Sequence, residues 1–539
     1  MGKNIKILDC TLRDGGRLID CTFPDRDIMQ IADKLSRAGI DIVELGFLRD
    51  CKDVNYSGNS TFFTYVDQIT PFIPPSTPWT EYVAFVDYGM FDFATLRVCG
   101  EETISGLRVG FTKNDYKNHY EDLISVFSTV KELGYKLYIQ GVNSLNYSDV
   151  ELLGIVEMVN SVNPVSFGIV DTYGAMYVDD VSRFYRLIDH NLDKDIAIDF
   201  HSHNNFQLSF SFAMEIIRLS RGVRSIIIDS TLSGMGKEAG NLNTELIADF
   251  LVRQMNYGYD TDFIFDAIDE HLFKLRERFH WGYSPNTLLS GIYRSHPNNV
   301  IYLVQKFRLD TKDIKNILSM LDEKERQRYD YDRIDVLVEE YSDNKYDDAK
   351  EITYLDELFA DKPILILAPG KTLVTHHSII DDYIAKHSPI IISVNFISDY
   401  PDSYSFFANK KRYNTKDKSD NTKTIVTSNI SQGTEDAIKV NYYSLVNHGY
   451  KFFYNSVLML LNLLRRLRIS EIVIAGMDGF SSEVDSNYFD DLFAVDRSSQ
   501  RFDEINRETS TMLENYVAIT KGSCSVVLIT PSRFEHIFM

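Results

Sequence analysis

The chain has 539 residues, of which 44% are hydrophobic, and a formal net charge of −22 at pH 7. Its length exceeds that of one ordinary domain, so two or three domains with buried cores are expected. The negative charge argues against nucleic-acid binding, the five scattered cysteines argue against a disulfide framework, and no apolar run is long enough for a membrane span, so a cytoplasmic protein without a membrane partner is expected.

Short β-like runs alternate with longer amphipathic segments through the first 260 residues. Eight such runs occur, at residues 5–8, 42–45, 82–86, 107–111, 137–140, 165–170, 196–200 and 225–228. Eight strands alternating with helices are typical of a (β/α)8 (TIM) barrel, although a doubly wound open sheet gives the same pattern. Polar residues at the carboxyl ends of the runs favour the barrel, because barrel enzymes assemble their sites on that face. We therefore predict an α/β fold that begins with a TIM barrel over residues 1–260.

The rest of the chain divides into three predicted parts. Residues 261–321 are mostly helical in pattern and are expected to extend the barrel and complete its site, and the highly charged residues 322–350 are interpreted as a solvated helix or linker. Further strands are predicted at residues 364–367, 390–394, 405–407, 424–427, 472–475 and 525–529, with an apolar helix at 456–467. Residues 351–539 are therefore expected to form a second, Rossmann-like α/β domain with a parallel sheet.

Two histidines and one carboxylate suggest a metal site on the barrel rim. His201 and His203 end the seventh run, and residues i and i+2 of a strand point to the same face. Together with Asp14 at the end of the first run they could bind one divalent cation, although a lone His-x-His is more often a core feature and a lone Arg-Asp pair is more often structural. The glycine-rich loop at residues 234–241 could bring the amide oxygen of Asn241 to the same rim, or it could be a plain tight turn.

These elements together resemble the DRE-TIM metallolyase superfamily. That superfamily includes 3-hydroxy-3-methylglutaryl-CoA (HMG-CoA) lyase, the isopropylmalate and homocitrate synthases and the 4-hydroxy-2-oxovalerate aldolases, and the aldolase-like members are the most similar. Thr-Leu-Arg-Asp-Gly at residues 11–15, the His-x-His strand and the Gly-x-Gly-x-x-x-Gly-Asn loop stand in the family's order. The resemblance implies that Asp14, His201 and His203 bind the metal, that Asn241 is a further ligand or a near neighbour, and that Arg13 is the catalytic arginine.

Other site residues are assigned less directly. The motifs at residues 43–47 and 171–174 look like strand-end motifs of the family, and Gln140 ends another predicted strand. The substrate-binding candidates are therefore Glu44, Gln140, Asp171 and Thr172. The segment at residues 281–293 resembles the region where the aldolases have a tyrosine that assists proton transfer, so Tyr283 or Tyr293 is the catalytic candidate, with simple packing as the alternative and with His280 and His296 as further acid–base candidates.

The resemblance also implies a cofactor and a reaction. Mg²⁺ or Mn²⁺ is expected, with Zn²⁺ or Co²⁺ as alternatives, because mixed carboxylate and imidazole ligands suit such cations. The metal would chelate a 2-oxo acid, whose carbon–carbon bond is made or cleaved through a metal-bound enolate while Arg13 stabilises the developing oxyanion. The expected protein is thus a homodimeric class II pyruvate-type aldolase for 2-oxo acid and aldehyde substrates, acting in surface-carbohydrate biosynthesis.

Arg17 distinguishes this chain from both the Claisen-condensing members and the aldolases of the superfamily. The Claisen-condensing members carry Gly-Glu-Gln after the Arg-Asp pair, whereas this chain has Gly-Gly-Arg at residues 15–17, so an acyl-CoA-dependent synthase is the less favoured alternative. The aldolases have a histidine base where Arg17 stands, and arginine does not lose its proton, so the base is left unassigned. Arg17 is interpreted as a binder of a substrate carboxylate or phosphate, or as a surface ion pair. A scaffold protein with a degenerate barrel is a third hypothesis.

The second domain carries weaker motifs. Pro-Gly-Lys-Thr at residues 369–372 follows a strand but lacks the first glycine of the P-loop pattern, so a P-loop NTPase is not predicted. The motifs at residues 455–456 and 472–480 are similar to bacterial sialyltransferase-like or pterin-pyrophosphokinase-like α/β domains. That similarity implies a nucleotide or sugar-nucleotide site, or a glycosyltransferase-like second activity, with a docking domain as the alternative. The candidate residues are Lys371, Thr372, Asn395, Asn455, Ser456 and Asp478.

Overall fold

The computed structural model describes residues 4–75, 79–307, 309, 311–344, 346–414, 423–430, 436–450, 452–453, 455–481, 487–489 and 502–538. The chain forms two compact units, the first comprising Met1–Val300 and Leu321–Tyr329 and the second comprising Ile301–Met320 and Asp330–Met539. This division differs from the expected boundary near residue 350. No helix among the described residues combines the length and apolar character that crossing a membrane requires.

The first unit contains a closed parallel barrel. Its strands are β1 (Ile5–Asp9), β2 (Ile42–Leu48), β3 (Phe62–Phe63), β4 (Glu81–Asp87), β5 (Gly106–Phe111), β6 (Lys136–Gly141), β7 (Ser166–Asp171), β8 (Ala197–Ser202) and β9 (Ile226–Ser230). They pair in the order β1-β9-β8-β7-β6-β5-β4-β2-β3, and the additional pairing of β1 with β2 closes a ring of eight. The two-residue strand β3 adds to the outside of β2. The predicted TIM barrel is therefore confirmed, with a strand at each of the eight predicted runs.

Helices connect the barrel strands and continue after them. Between residues 25 and 327 they are α1 (Asp25–Arg37), α2 (Lys113–Asn118), α3 (Tyr120–Glu132), α4 (Asp149–Val162), α5 (Val178–Asn191), α6 (Ser209–Ser220), α7 (Thr244–Met255), α8 (Thr261–Ala267), α9 (Phe273–Arg278), α10 (Pro285–Tyr293), α11 (Pro297–Phe307), α12 (Thr311–Met320) and α13 (Glu323–Gln327). Several begin with a capping box, as α4 does, where the Ser148 backbone N–H donates to Glu151 Oε2 at 2.9 Å.

The strands face two different cores. Their outward side chains and the surrounding helices form one large apolar core. Inside the barrel, a smaller apolar cluster that includes Leu8, Ile42 and Tyr138 fills the end at which the strands begin. Because side chains alternate along a strand, the next inward positions of β2 and β8 are Glu44 and Asp199, both fully buried. The barrel interior therefore changes from apolar to charged toward the carboxyl ends of the strands.

The second unit is built on a seven-stranded parallel sheet, which confirms the expected second α/β region. Its strands are β10 (Ile364–Leu367), β11 (Ile390–Val394), β12 (Tyr404–Phe407), β13 (Lys423–Thr427), β14 (Ile438–Val440), β15 (Glu471–Ala475) and β16 (Ser525–Leu528). The order is β14-β13-β12-β11-β10-β15-β16, so the direction of strand succession reverses between β10 and β15. The remaining helices are α14 (Tyr331–Asn344), α15 (Ala349–Phe359), α16 (Thr372–Thr375), α17 (His377–His387), α18 (Lys410–Tyr413), α19 (Ser456–Leu464) and α20 (Phe502–Thr520).

The predicted linker at residues 322–350 is largely helical. Charge dominates its composition, but Ile334, Leu337 and Val338 of α14 are buried. Their spacing of three and four residues gives the helix one apolar face, which packs while Asp332, Glu339 and Glu340 are exposed. Of the two alternatives given for this segment, a solvated helix or a linker, the residues form helices, and the buried face of α14 is the part that composition did not indicate.

Candidate functional site

The predicted metal ligands come together where β1 and β8 end. His201 is the fifth residue of β8 and His203 follows it by two, so both rings lie on the inner side of the barrel. Asp14 Oδ2 lies 3.8 Å from His203 Nε2 and 4.0 Å from His201 Nε2. One ligand atom of each of the three residues falls within 4.8 Å of the others. This grouping of two imidazoles and one carboxylate is suited to binding a single cation from one side.

The protonation states of these residues suit metal binding. Burial lowers the pKa of both His201 and His203 to about 4, and the opposing attraction of Asp14 does not reverse this effect. Burial alone would raise the pKa of Asp14, but Arg13 and the two histidines outweigh it and hold that pKa well below its usual value. Near neutral pH the site therefore presents two neutral imidazoles and one carboxylate, which are the forms that bind metal.

Asn241 borders the ligand cluster. An isolated bridge pairs it with His203, and its Nδ2 donates to Asp14 Oδ2 at 3.0 Å and to the Met235 carbonyl oxygen at 3.0 Å. Its Oδ1 is buried and has no hydrogen-bond partner among the described residues. Since rotation of an amide group exchanges its oxygen and nitrogen, the Asn241 oxygen can take the position facing the ligands. In the present orientation Nδ2 faces Asp14, and a cation held by Asp14 would favour the rotated form because it would attract the amide oxygen.

The Nδ1 atom of His201 contacts a buried carboxylate on the neighbouring strand. His201 Nδ1 lies 3.0 Å from Asp229 Oδ2, at the end of the neighbouring strand β9. A carboxylate at this distance fixes the orientation of the ring and places the proton on Nδ1, so that Nε2 keeps its lone pair for the metal.

The predicted catalytic arginine is tightly fixed. Arg13 Nε donates to Glu44 Oε2 at 2.5 Å, and its Nη1 donates to Asp14 Oδ1 at 2.7 Å. The guanidinium carbon also lies 4.4 Å from the centroid of the Phe85 ring. Glu44, predicted to bind substrate, is completely buried and instead positions Arg13. A donor group held in this way needs little reorganisation during a reaction.

An ionic network below the site was missed by sequence reasoning. Arg108, which is completely buried, donates to Glu44 Oε1 at 3.2 Å, to Asp199 Oδ2 at 3.0 Å and to Asp229 Oδ2 at 2.6 Å. Burial, followed by repulsion from Asp229, raises the pKa of Asp199 to about 7. Gln140 Nε2 adds a hydrogen bond of 2.6 Å to Asp199 Oδ2. The available signal was a charged residue within an otherwise apolar predicted strand: Arg108 in the run 107–111 and Asp199 in the run 196–200.

A cavity of about 210 Å³ opens above these residues. Seven predicted site residues line it: Arg13, Asp14, Arg17, Gln140, Thr172, His201 and His203. Tyr173, Lys237 and His296 line it as well, and of these only His296 had been considered, as an alternative acid or base. The structure therefore brings most of the predicted site residues to one cavity. It adds Tyr173 from the loop after β7 and Lys237 from the loop after β9.

Three predicted residues lie elsewhere in the first unit. Asp171 accepts hydrogen bonds from the backbone N–H groups of Ala175 at 2.8 Å and Met176 at 3.2 Å, so its carboxyl group organises the loop after β7. Tyr283 is 54% exposed, and Tyr293 lies beneath the guanidinium of Arg326 at 5.7 Å from the ring centroid. Neither tyrosine is among the residues that line the cavity.

Comparison with known proteins gives the following matches. Residues 108–270 match the HMGL-like family model. A 4-hydroxy-2-oxovalerate aldolase from Pelotomaculum thermopropionicum is 23% identical over 319 residues, which cover 58% of this chain and 89% of the relative. An oxaloacetate decarboxylase from Mycobacterium tuberculosis is 24% identical over 274 residues, which cover 48% and 74%.

Solved structures are similar as well. The HMG-CoA lyase from Brucella melitensis gives a TM-score of 0.42 at 16% identity, over 51% of this chain and 99% of that chain. The family model and the relatives confirm the predicted resemblance to HMG-CoA lyase-like barrels of the aldolase and lyase class. The similarity suggested for the second domain stays a prediction.

The second unit has its own cavity, also of about 210 Å³. It lies where strands β10 and β11 end and includes Asn395, Asn455, Ser456 and Asp478 of the predicted residues. Lys371 and Thr372 are not among its lining residues. The backbone N–H of Thr372 donates to Asp478 Oδ2 at 2.9 Å, so this part of the Pro-Gly-Lys-Thr segment forms a turn closed by a carboxylate.

Proposed function

We propose that the barrel is a divalent-metal-dependent carbon–carbon lyase of the pyruvate-type aldolase class, acting on a 2-oxo acid and an aldehyde. The observation that carries this proposal is the convergence of Asp14, His201 and His203 within 4.8 Å at a cavity that Arg13 also lines. The HMGL-like segment and the aldolase relatives support the same class of reaction. Mg²⁺ and Mn²⁺ remain the preferred metals, because the donor set has no thiolate.

One set of residues would bind the metal, and Arg13 would stabilise negative charge on the substrate. Asp14, His201 and His203, with the Asn241 amide oxygen, would hold a cation that acts as a Lewis acid on the substrate's keto group. Arg13 is held by Glu44 and Asp14 with its guanidinium at the cavity, where it stabilises negative charge that develops on the keto oxygen.

A hydroxyl group at the cavity can supply a proton. Tyr173 lines the cavity, whereas Tyr283 and Tyr293 do not, and burial raises the pKa of Tyr173 to about 12. Its phenol is therefore protonated at neutral pH and can donate a hydrogen bond or a proton to the substrate. We assign this donor role to Tyr173 in place of the tyrosines suggested by the sequence.

Cleavage of a panel of 4-hydroxy-2-oxo acids tests the proposal. The purified protein is stripped of metal with a chelator, reloaded with Mg²⁺ or Mn²⁺, and assayed for release of pyruvate or another 2-oxo acid. Cleavage is expected only in the reloaded protein and is expected to be lost in His201→Ala, whereas His190, exposed near the end of α5, gives the matched control His190→Ala. Metal-loaded protein that cleaves no member of the panel would rule the proposal out, and thiol release from an acyl-CoA would point to the Claisen-type synthase instead.

For the second unit, we propose a nucleotide or sugar-nucleotide site in the cavity beyond strands β10 and β11. Open parallel α/β sheets bind ligands at the point where the strand order reverses, and β10 stands at that point. Asn395 Nδ2 donates to Ser456 Oγ at 3.0 Å, while its Oδ1 is buried and has no hydrogen-bond partner among the described residues. Because Asn395 lines the cavity, rotation of its amide could offer this oxygen to a ligand that brings a donor, such as a ribose hydroxyl or a base amine.

Titration calorimetry on the full chain tests the second site. Nucleoside mono- and diphosphates and common sugar nucleotides are titrated one at a time into wild type and Asn395→Ala. We expect one class of ligand to bind the wild type and to bind the variant at least about tenfold more weakly, the cost of about one hydrogen bond to a polar ligand. Absence of heat with every ligand would leave the second unit without this function. Binding of a sugar nucleotide would favour a role in surface-carbohydrate biosynthesis.

A further inference from the structure

Three basic side chains, Arg13, Arg17 and Lys237, line the barrel cavity, against two carboxylates. Two carboxylates line it, and each already has a close basic partner: Asp14 Oδ1 lies 2.7 Å from Arg13 Nη1, and Asp87 Oδ2 lies 2.6 Å from Arg49 Nη2. Arg17 lies farther from the same carboxylates, with Nε 3.6 Å from Asp14 Oδ1 and Nη2 3.7 Å from Asp87 Oδ2. Its charge is therefore only partly compensated by the protein.

Arg17 is nevertheless held in place. Its guanidinium carbon lies 4.6 Å from the centroid of the Phe47 ring, and the side chain is 37% exposed. Stacking on an aromatic ring orients the planar guanidinium, and its parallel N–H groups match a carboxylate or a phosphate. A guanidinium with this support has lost part of the conformational freedom that binding an anion would otherwise cost.

Lys237 supplies a second cation on the same cavity. It belongs to the loop after β9 that also carries Asn241, and no ion pair joins it to a carboxylate of the described residues. The neighbouring Glu238 is occupied by hydrogen bonds from Ser290 Oγ and from Asn205 Nδ2. The ammonium group of Lys237 is therefore available to an anion in the cavity.

His296 adds a neutral donor. Its Nδ1 accepts a hydrogen bond of 3.1 Å from the backbone N–H of Asn298, so the neutral ring carries its proton on Nε2. Burial, with smaller contributions from Lys237 and Arg17, lowers the pKa of His296 to about 4. The geometric link between the three side chains is that Arg17, Lys237 and His296 all line the same cavity. A neutral imidazole beside two cations donates to an anion without adding a third charge.

We propose that Arg17, Lys237 and His296 form a subsite for a second anionic group of the substrate, a carboxylate or a phosphate remote from the 2-oxo acid group. A bound divalent cation adds two further positive charges, so the cavity is complementary to a substrate that carries at least two negative charges. The assignment of the substrate class rests on the function proposed for the barrel.

Binding of matched ligands to the metal-loaded full chain tests this subsite without requiring turnover. The probes are 2-oxo acids of equal length that end in a methyl group, a carboxylate or a phosphate monoester. We expect one of the two anionic probes to bind the wild type at least about tenfold more tightly than the methyl probe, since charge-assisted pairs are the strong ones. Whichever anion binds more tightly identifies the second group as a carboxylate or a phosphate.

Charge-removing variants assign the effect to the subsite. In Lys237→Gln and Arg17→Gln the preference for the anionic probe is expected to fall about tenfold each, and in Lys136→Gln, at the opposite end of the barrel, it is expected to persist. The metal affinity of each variant, measured in parallel, shows whether the loop and the metal centre remain intact.

Equal binding of all three probes to the wild type would overturn the subsite, as would a preference that persists in both cavity variants. Anion preference in a protein that cleaves no 2-oxo acid would contradict the proposed lyase activity and leave the subsite standing. The two proposals therefore fail through different results.

Discussion

The imidazole of His201 and the carboxylate of Asp229 form a contact of 3.0 Å between Nδ1 and Oδ2 across the neighbouring strands β8 and β9. The contact directs Nε2 of His201 toward Asp14 and His203. Because Arg108 donates to the same oxygen of Asp229, the orientation of the ring is coupled to the buried ionic network inside the barrel. The orientation of His201, a proposed metal ligand, therefore depends on Asp229 and Arg108, which are not proposed as ligands.

Asp229→Asn tests this dependence. The amide keeps the size of the side chain but is a weaker acceptor for the His201 Nδ1 proton, so the metal affinity is expected to fall about 10- to 100-fold. Metal affinity is measured by competition with a chromogenic chelator. The control is Asp249→Asn, at a half-exposed position in α7. A metal affinity of Asp229→Asn within twofold of that of the wild type would show that the contact does not support the centre.

Arg13→Lys tests the role of the fixed guanidinium. Lysine retains the positive charge, but its single ammonium group cannot replace both the hydrogen bond to Glu44 and the one to Asp14. We expect kcat for cleavage to fall about 10²- to 10³-fold, the usual cost of losing one positioned donor for an oxyanion. Metal content is determined on the same samples, and Arg37→Lys at an exposed position is the control. A decrease of less than threefold would exclude Arg13 from the reaction.

The loop that carries Asn241 depends on Gly240. Its φ of +74° lies in the left-handed region, and an added Cβ would stand 1.9 Å from the Gly234 carbonyl oxygen. Gly222 has a similar φ of +68° with nothing within 4 Å of such a Cβ, so it is a matched control. Gly222→Ala is expected to lower the free energy of unfolding by about 1 to 2 kcal/mol from backbone strain alone.

Gly240→Ala is expected to lower the free energy of unfolding by about 2 kcal/mol more than Gly222→Ala, because backbone atoms must move apart. It is also expected to weaken metal binding, since Asn241 is the next residue. Urea unfolding and chelator competition on the two variants measure both effects. Equal stability losses in the two variants would show that the loop accommodates the methyl group.

The long strands of the fold could be predicted from the sequence, but the shortest strands could not. Strands such as Ile226–Ser230 are buried on both faces, so parallel barrel strands appear as short β-branched runs that can be read directly. The two-residue strand Phe62–Phe63 and the three-residue strand Ile438–Val440 were not predicted, because so few residues show no periodicity.

The site was predictable where it depends on local spacing. His201 and His203 share a face because of strand geometry, and their convergence with Asp14 follows from the closure of the barrel. The pairing of Arg108 with Asp229 joins residues 121 positions apart and follows only from the assembled barrel. The cavity positions of Tyr173 and Lys237 depend on loop conformations that have no sequence period, so neither residue was singled out from the sequence, whereas His296 was considered as an acid or base.

A buried carboxyl group near the site predicts a pH-dependent stability. Burial raises the pKa of Asp9 to about 6, although hydrogen bonds from Thr244 and Thr11 partly oppose this. An unfolded aspartate ionises near about 3.9, so the unfolded chain loses this proton first as the pH rises. The contribution of Asp9 to the free energy of unfolding is therefore expected to decrease between about pH 4 and pH 6 and then to level off, on top of the contributions of the other titrating groups.

Asp9→Asn removes this titration. The change in the free energy of unfolding from about pH 4.5 to about pH 7.5, measured by urea unfolding at both pH values, should therefore be more favourable to the folded state in the variant than in the wild type. Asp33→Asn, at a half-exposed position in α1, is expected to retain the wild-type pH dependence. Identical pH dependence in wild type and Asp9→Asn would show that Asp9 ionises normally in the folded protein.

Exchange of the pyruvate methyl protons for deuterium, followed by proton NMR in D₂O, tests the metal-dependent lyase function most directly. The metal-loaded wild type is expected to catalyse exchange, to lose it on chelation and to regain it when Mg²⁺ or Mn²⁺ is restored, while His201→Ala is expected to show none. Undiminished exchange by the metal-free protein, or no exchange by protein that binds one metal ion per barrel, would contradict that function.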